Sequence, residues 1–140
     1  MSQTSPERIK LEKLMIKAAK NGSVDAVSSL LAMDPSLIDS RDSDGSSPLH
    51  CAAWKGQLEV ARALLDAGAN IEDQNTNEHW GGTPLHAAAH GNQKLIAELL
   101  IARGANVNAV SCNGRKPLTE TTFHNATAVA KLLRLHGAEE

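Results

Sequence analysis

Thr83-Pro84-Leu85-His86-Ala87-Ala88-Ala89-His90-Gly91-Asn92 decides how this chain folds. Thr83 offers a side-chain oxygen to cap a helix. Pro84 suits the first helical position, where its missing N–H costs nothing. Leu85 is the first core residue of that helix, and the small Ala88 and Ala89 let a neighbouring helix come close. Asn92 tolerates the left-handed region and can turn the chain. The same pattern stands upstream as Ser47-Pro48-Leu49-His50-Cys51-Ala52-Ala53-Trp54-Lys55-Gly56. It fades downstream into Lys116-Pro117-Leu118-Thr119-Glu120-Thr121-Thr122-Phe123-His124-Asn125. An echo without the Pro-Leu-His lies at Met15-Ile16-Lys17-Ala18-Ala19-Lys20-Asn21-Gly22. One unit is written four times.

Each copy is followed by a second apolar helix. After Asn21-Gly22, Ser23 caps one that carries Val24, Val27, Leu30 and Leu31, and Asp34-Pro35 ends it. After Gly56 come Leu58, Val60, Ala61, Leu64 and Leu65, with Gly68 just past the helix end. The third copy continues with Leu95, Ile96, Leu99, Leu100 and Gly104, the fourth with Val129, Leu132, Leu133 and Gly137. Leu64, Leu65, Leu99 and Leu100 are expected to be buried between units. The first helix starts at Ser5-Pro6-Glu7 and has a broad apolar face of Ile9, Leu11, Leu14, Met15, Ile16, Ala18 and Ala19. Ala69-Asn70-Ile71-Glu72 and Ala105-Asn106-Val107-Asn108 read as extended links into turn-rich tips.

Met15 to Leu49 is 34 residues, Leu49 to Leu85 is 36, and Leu85 to Leu118 is 33. A period of about 33 with Thr-Pro-Leu-His-x-Ala is the ankyrin signature. From about residue 7 to its end, the chain resembles the ankyrin-repeat family. The resemblance implies an all-α solenoid of stacked helix–turn–helix units with short β-hairpin-like loops. Residues 1–6 are then a polar tail, and 7–140 a single domain with repeats at approximately 7–40, 41–73, 74–108 and 109–140. A lone hairpin of this size cannot bury its faces, but stacked neighbours can. The terminal repeats read as caps. The first lacks Pro-Leu-His and carries Lys10, Lys13, Lys17 and Lys20 at helical spacing. The last has Thr119 for the motif histidine, Thr121 and Thr122 for the alanine pair, and Lys116 where Ser47 and Thr83 cap the other helices.

The bulk properties agree. Of 140 residues, 41% are hydrophobic but only 2% aromatic, so the core must be built from Ala, Leu, Val and Ile. That suits thin layers. A net charge of −2 and a pI near 6.3 give no general basic field, which argues against bulk nucleic-acid binding. Cys51 and Cys112 are isolated, with no metal-ligand or redox spacing, so no disulfide framework is expected. The sequence has no apolar leader near Met1 and no run of 18 apolar residues. The expectation is a cytoplasmic, or otherwise intracellular, monomer with no membrane partner.

Six histidines raise the question of catalysis. In the ankyrin family the motif histidine bonds backbone between neighbouring repeats, so the resemblance implies a structural role for His50 and His86. His50 and Cys51 are adjacent on one helix and do not face each other. Cys51 reads as a small packing residue. There is no Ser-His-acid set or phosphate-cradling glycine loop. His90 and His124 lie in successive repeats, His79 at a loop tip and His136 at the end. The expectation is a non-enzyme without cofactor or metal. The alternatives are an enzyme or metal protein using concave histidines, or a weak nucleic-acid binder through the lysine stripe.

The resemblance also implies an arc whose concave face is lined by loop tips and by the ends of the first helices. The two positions after each alanine pair belong to that face. They hold Lys20 and Asn21, Trp54 and Lys55, His90 and Gly91, and Phe123 and His124. The tips hold Ser43, Asp44 and Ser46, then His79, Trp80 and Gly82, then Cys112, Asn113 and Arg115. Trp54, Trp80 and Phe123 are every aromatic in the chain, and all map to this face rather than to the core. Trp, Phe and Arg are the common anchors of protein interfaces. The third unit's extra residues fall within Gln74-Asn75-Thr76-Asn77-Glu78-His79-Trp80, which reads as a longer binding finger in preference to a tolerated neutral bulge. The expected function is protein–protein interaction, as adaptor, scaffold or inhibitory subunit. The expected contacts are Trp54, Lys55, His79, Trp80, His90, Arg115, Phe123 and His124, with Trp54, His90 and Phe123 side by side.

Overall fold

A computed structural model describes residues 5–77, 81–123 and 125–139. They contain α1 (Pro6–Asn21), α2 (Val24–Met33), a 3-10 helix (Pro35–Asp39), α3 (Pro48–Lys55), α4 (Leu58–Asp66), α5 (Pro84–His90), α6 (Lys94–Ala102), α7 (Pro117–Phe123) and α8 (Thr127–Leu135). The odd-numbered helices pack in succession as one layer and the even-numbered ones as a second, each pair joined by a tight turn. No strand occurs among the described residues.

The motif chemistry starts the first-layer helices as expected. Ser5, Ser47 and Thr83 accept hydrogen bonds from the backbone N–H groups of Arg8, His50 and His86, and a proline opens each helix. Asn92 turns the chain with φ 53°. Ser23 stands at the N-cap position of α2, but its side chain makes no capping bond. The tips are close to the expected hairpins. Asn75 and Gly82 form an isolated antiparallel bridge, exchanging N–H···O bonds of 2.7 and 2.8 Å. The other tips lack a bridge and are closed from Asp42 N–H to the Ser46 carbonyl and from Ser111 N–H to the Arg115 carbonyl, with Ser46 N–H on Asp42 Oδ1 and Arg115 N–H on Ser111 Oγ.

The core is one column per layer. Met15, Leu49, Leu85 and Leu118 follow one another down the first layer, with the alanine pairs beside them, all buried. In the second layer Val27, Leu64, Leu100 and Leu133 are buried. The expectation for Leu65 and Leu99 needs correction: they are only partly buried against the core. On α4 and α6 the rows Val60–Ala61–Leu64 and Ile96–Ala97–Leu100 face the first layer. Leu65 and Leu99 are turned about 100° away from Leu64 and Leu100. Leu95 is exposed, as are Ile9 and Leu14 of the face read as broadly apolar on α1. The proline at 35 does end α2, but the chain continues into the 3-10 helix, capped by Asp34 and anchored by the buried Leu37.

The fourth helix pair is the weakest by local chemistry. Lys116 has no side-chain oxygen to cap α7. Thr121 and Thr122 both turn their hydroxyls back to the Leu118 carbonyl, a habit that slightly destabilises helices. Hydrogen exchange should therefore show residues 117–134 opening before 84–102. Lys116→Thr should stabilise the protein by up to about 1 kcal/mol. Greater protection in 117–134 than in α5 and α6 contradicts this account.

Candidate functional site

The motif histidines fix the frame on which the site is built. In the first motif, backbone N–H of Ser47 can only donate, so the His50 Nδ1 that it meets at 3.3 Å must accept. The proton then sits on Nε2, which donates to the Gly82 carbonyl at 2.8 Å. His86 repeats the arrangement, with Thr83 N–H on Nδ1 at 3.0 Å and Nε2 on the Arg115 carbonyl at 2.8 Å. Each ring thus ties the cap of its own helix to the loop of the next pair. Both are buried, and burial lowers their pKa below the ordinary histidine value. Gly82 has φ 139°, and a Cβ there would lie 2.5 Å from the His86 ring, so the loop can pass only as glycine.

A second set of bonds ties the far ends of the first helices together. Gln57 Nε2 donates to the Lys20 carbonyl at 2.8 Å, and Gln93 Nε2 to the Trp54 carbonyl at 3.2 Å. Gly91 lets the α5 end approach: a Cβ on it would lie 2.4 Å from the Trp54 carbonyl oxygen. This contact places the Trp54 and His90 rings edge to face, with centroids 6.3 Å apart. Lys55 Nζ stands 4.6 Å from the Trp54 ring centroid. Trp54 is half-buried and leans on the core edge, a correction to its placement wholly outside the core. Beneath these rings a cavity of about 130 Å³ is lined by Lys20, Asp42, Asp44, Cys51, Trp54 and His90. First-helix ends and a loop tip therefore share one concavity.

On the next helix pair, the Arg115 guanidinium lies 5.3 Å from the ring centroid of Phe123, which is 63% exposed. Arg115 Nε also meets Glu120 Oε1 at 3.4 Å. Glu120 is buried, a carboxylate that needs such a partner, and it was not singled out from the sequence. The signal available was its slot, which holds Cys51 and Ala87 in the units before it. The described residues thus form two groups, Trp54–Lys55–His90 on the ends of α3 and α5, and Arg115–Phe123 between the last loop tip and the end of α7. His79, Trp80 and His124 lie outside the described residues. The stem of the expected finger is pinned: Asn75 is buried and donates to Ser46 Oγ at 2.6 Å.

Cys51 has the environment of a packing residue. Burial, then the Asp42 carboxylate, push its thiol up to about 12. Cys112 is exposed. A thiol reagent at neutral pH should modify Cys112 quickly and Cys51 only after unfolding, because the thiolate is the nucleophile. Two rapidly reacting thiols in the folded protein contradict this placement. Among the described residues no group of three His, Cys, Asp or Glu side chains is arranged to hold a metal, and no helix is long and apolar enough to cross a membrane.

Comparison with known proteins matches this architecture. The family model of ankyrin repeats in three copies matches residues 4–75 and again 70–140. Serine/threonine-protein kinase VIK of Arabidopsis thaliana is 33% identical over 78 residues, 56% of this chain and 17% of that protein. Oxysterol-binding protein-related protein 1 of Homo sapiens is 36% identical over 70 residues, 49% of this chain and 7% of its own length. Ankyrin repeat domain-containing protein 49 of Bos taurus is 37% identical over 59 residues, 42% of this chain and 25% of its own. The aligned segment is thus a quarter or less of each of these relatives, and the activities their names state belong to those proteins. The period, the inter-repeat histidine bonds, the two helical layers and the family match agree, and the chain belongs to the ankyrin-repeat family.

Proposed function

We propose that this chain binds a partner protein through the concave face formed by its first-helix ends and loop tips, acting as an adaptor, scaffold or inhibitory subunit. Ankyrin repeats are protein-interaction modules in general. The observation that carries the finer statement is the Trp54–His90 edge contact above a cavity shared by three first helices and a tip. Half-exposed aromatics with cations over their rings offer apolar area and charge together. They stand on helix ends held by backbone and glutamine bonds, so little ordering entropy is lost on docking. Lys55, Arg115 and Phe123 extend the surface, and His79, Trp80 and His124 belong to it by their place in the sequence.

The test is the affinity of a partner captured from the native source for Trp54→Ala and for Phe123→Ala. Each truncation should cost about 2 kcal/mol or more of binding free energy. Phe123→Ala should leave the melting temperature unchanged, while Trp54→Ala, whose ring leans on the core, should lower it modestly. Wild-type affinity in both variants refutes the assignment.

A further inference from the structure

The N-terminal end of the stack carries a second surface, independent of the Trp54 face. Towards solvent α1 shows one stripe, Ile9, Lys10, Lys13, Leu14 and Lys17, at the three- and four-residue spacing of a single helix face. Ile9 and Leu14 are each 43% exposed. Among the described residues no carboxylate lies within ion-pair distance of Lys10, Lys13 or Lys17. The carboxylates on the two helices are Glu7, Glu12 and Asp25, and Glu12 is held by Arg8. α1 carries five cations (Arg8, Lys10, Lys13, Lys17 and Lys20) against Glu7 and Glu12, in a chain whose net charge is −2. α1 by itself therefore carries +3, while the rest of the chain sums to −5.

The shape of this end suits a helix. Leu14, Lys17 and Ala18 of α1 face Ala26, Ser29 and Leu30 of α2 across a groove of about 380 Å³. A second hollow, bordered by Pro6, Ile9, Lys10 and Lys13, continues along α1. Within the stack the equivalent side of each first helix is where the preceding first helix packs, as α1 does on α3. We propose that this end surface docks an acidic amphipathic helix of a partner protein. The partner's carboxylates pair with Lys10, Lys13 and Lys17. Its apolar side lies on Ile9, Leu14 and the small Ala26–Ser29 floor. A lipid surface fits less well, because the main apolar face of α1, Met15, Ile16, Ala18 and Ala19, is already buried in the core. A phosphate backbone leaves the Leu14–Leu30 groove unused.

The test is fluorescence anisotropy of the full chain with a labelled amphipathic peptide of Glu and Leu at helical spacing. The comparison probes are its scrambled isomer, vesicles of phosphatidylserine and phosphatidylcholine, and a DNA duplex. The amphipathic peptide should bind, more weakly as salt rises. Lys13→Glu with Lys17→Glu should weaken it about tenfold, the sum of two reversed surface pairs. Leu14→Ser should also weaken it, and Trp54→Ala should leave it unchanged, which separates this surface from the concave face. These side chains are exposed, so melting temperatures should hold; if the charge reversal unfolds the chain, Lys13→Ala with Lys17→Ala gives the same reading. No binding at low salt overturns the proposal. So does equal binding of the scrambled peptide, the vesicles or the duplex, or full affinity in Leu14→Ser.

Discussion

Leu100→Ala should lower the stability of this protein by about 2–5 kcal/mol, the range for deleting a buried leucine whose surroundings cannot collapse. Leu100 is fully buried on α6, which packs against α4, α5 and α8. The stack gives it neighbours on three sides, and a cavity there is felt by the helix pairs before and after. For a domain of this size the total is about 5–15 kcal/mol, so one substitution removes a large share. In urea the midpoint should fall with little change of slope. Leu99→Ala should cost clearly less, because Leu99 is only partly buried at the edge of the same helix. An unchanged Leu100→Ala midpoint, or a larger loss in Leu99→Ala, contradicts the packing described.

Acidification should destabilise the stack through His50 and His86. Burial lowers both pKa values in the folded protein, while the unfolded chain titrates near the ordinary value of about 6.5. Folding therefore favours the neutral rings. Their stabilising contribution is fully present above about pH 6.5 and is lost as pH falls below that, because the unfolded state takes up the protons first. Within the window each histidine contributes a slope of up to about 1.4 kcal/mol per pH unit. The geometry supplies the reason. A proton on Nδ1 would face the backbone N–H of Ser47 or Thr83, the donor that this nitrogen accepts in the folded protein. Urea midpoints measured from pH 7.5 to 5 should fall for the wild type, and the fall should shrink in His86→Gln. A flat profile, or a profile indifferent to His86, contradicts the assignment.

The fold was legible because the motif encodes its own local structure. A capping Ser or Thr, a first-turn proline, a leucine and an alanine pair each have one physical use at that place, and the repeat of the set gives the stack. The residues that couple the repeats were partly hidden. His50 and His86 were readable through the family resemblance. Gln57 and Gln93 were not: they share one place in the repeat, eight residues after Leu49 and Leu85, but a polar side chain there gives no sign of the backbone carbonyl, 37 or 39 residues away, that it reaches. Leu37 was passed over because Asp34-Pro35 reads as a stop, although the same pair can start a 3-10 helix. The second-layer leucines were overcounted since Leu64-Leu65 and Leu99-Leu100 are adjacent in sequence and only one of each pair can face the first layer. At the candidate site the positional argument placed Trp54, His90 and Phe123 in one row; the structure sets Trp54 beside His90, while the Arg115 guanidinium over Phe123 was not anticipated. Nor were Glu120, a single acid in a slot otherwise filled by small residues, and the burial of Asn75 in the stem of the expected finger.

The most direct measurement of the proposed function is the footprint of a bound partner, by hydrogen exchange or by chemical-shift change on the complex with the full chain. The surface described here predicts protection at the ends of α3 and α5, at Arg115 and Phe123, and in the loop tips around 42–46 and 74–82, with α4, α6 and α8 unchanged. A footprint confined to the outer faces of α4, α6 and α8, with Trp54, His90 and Phe123 unaffected, contradicts it.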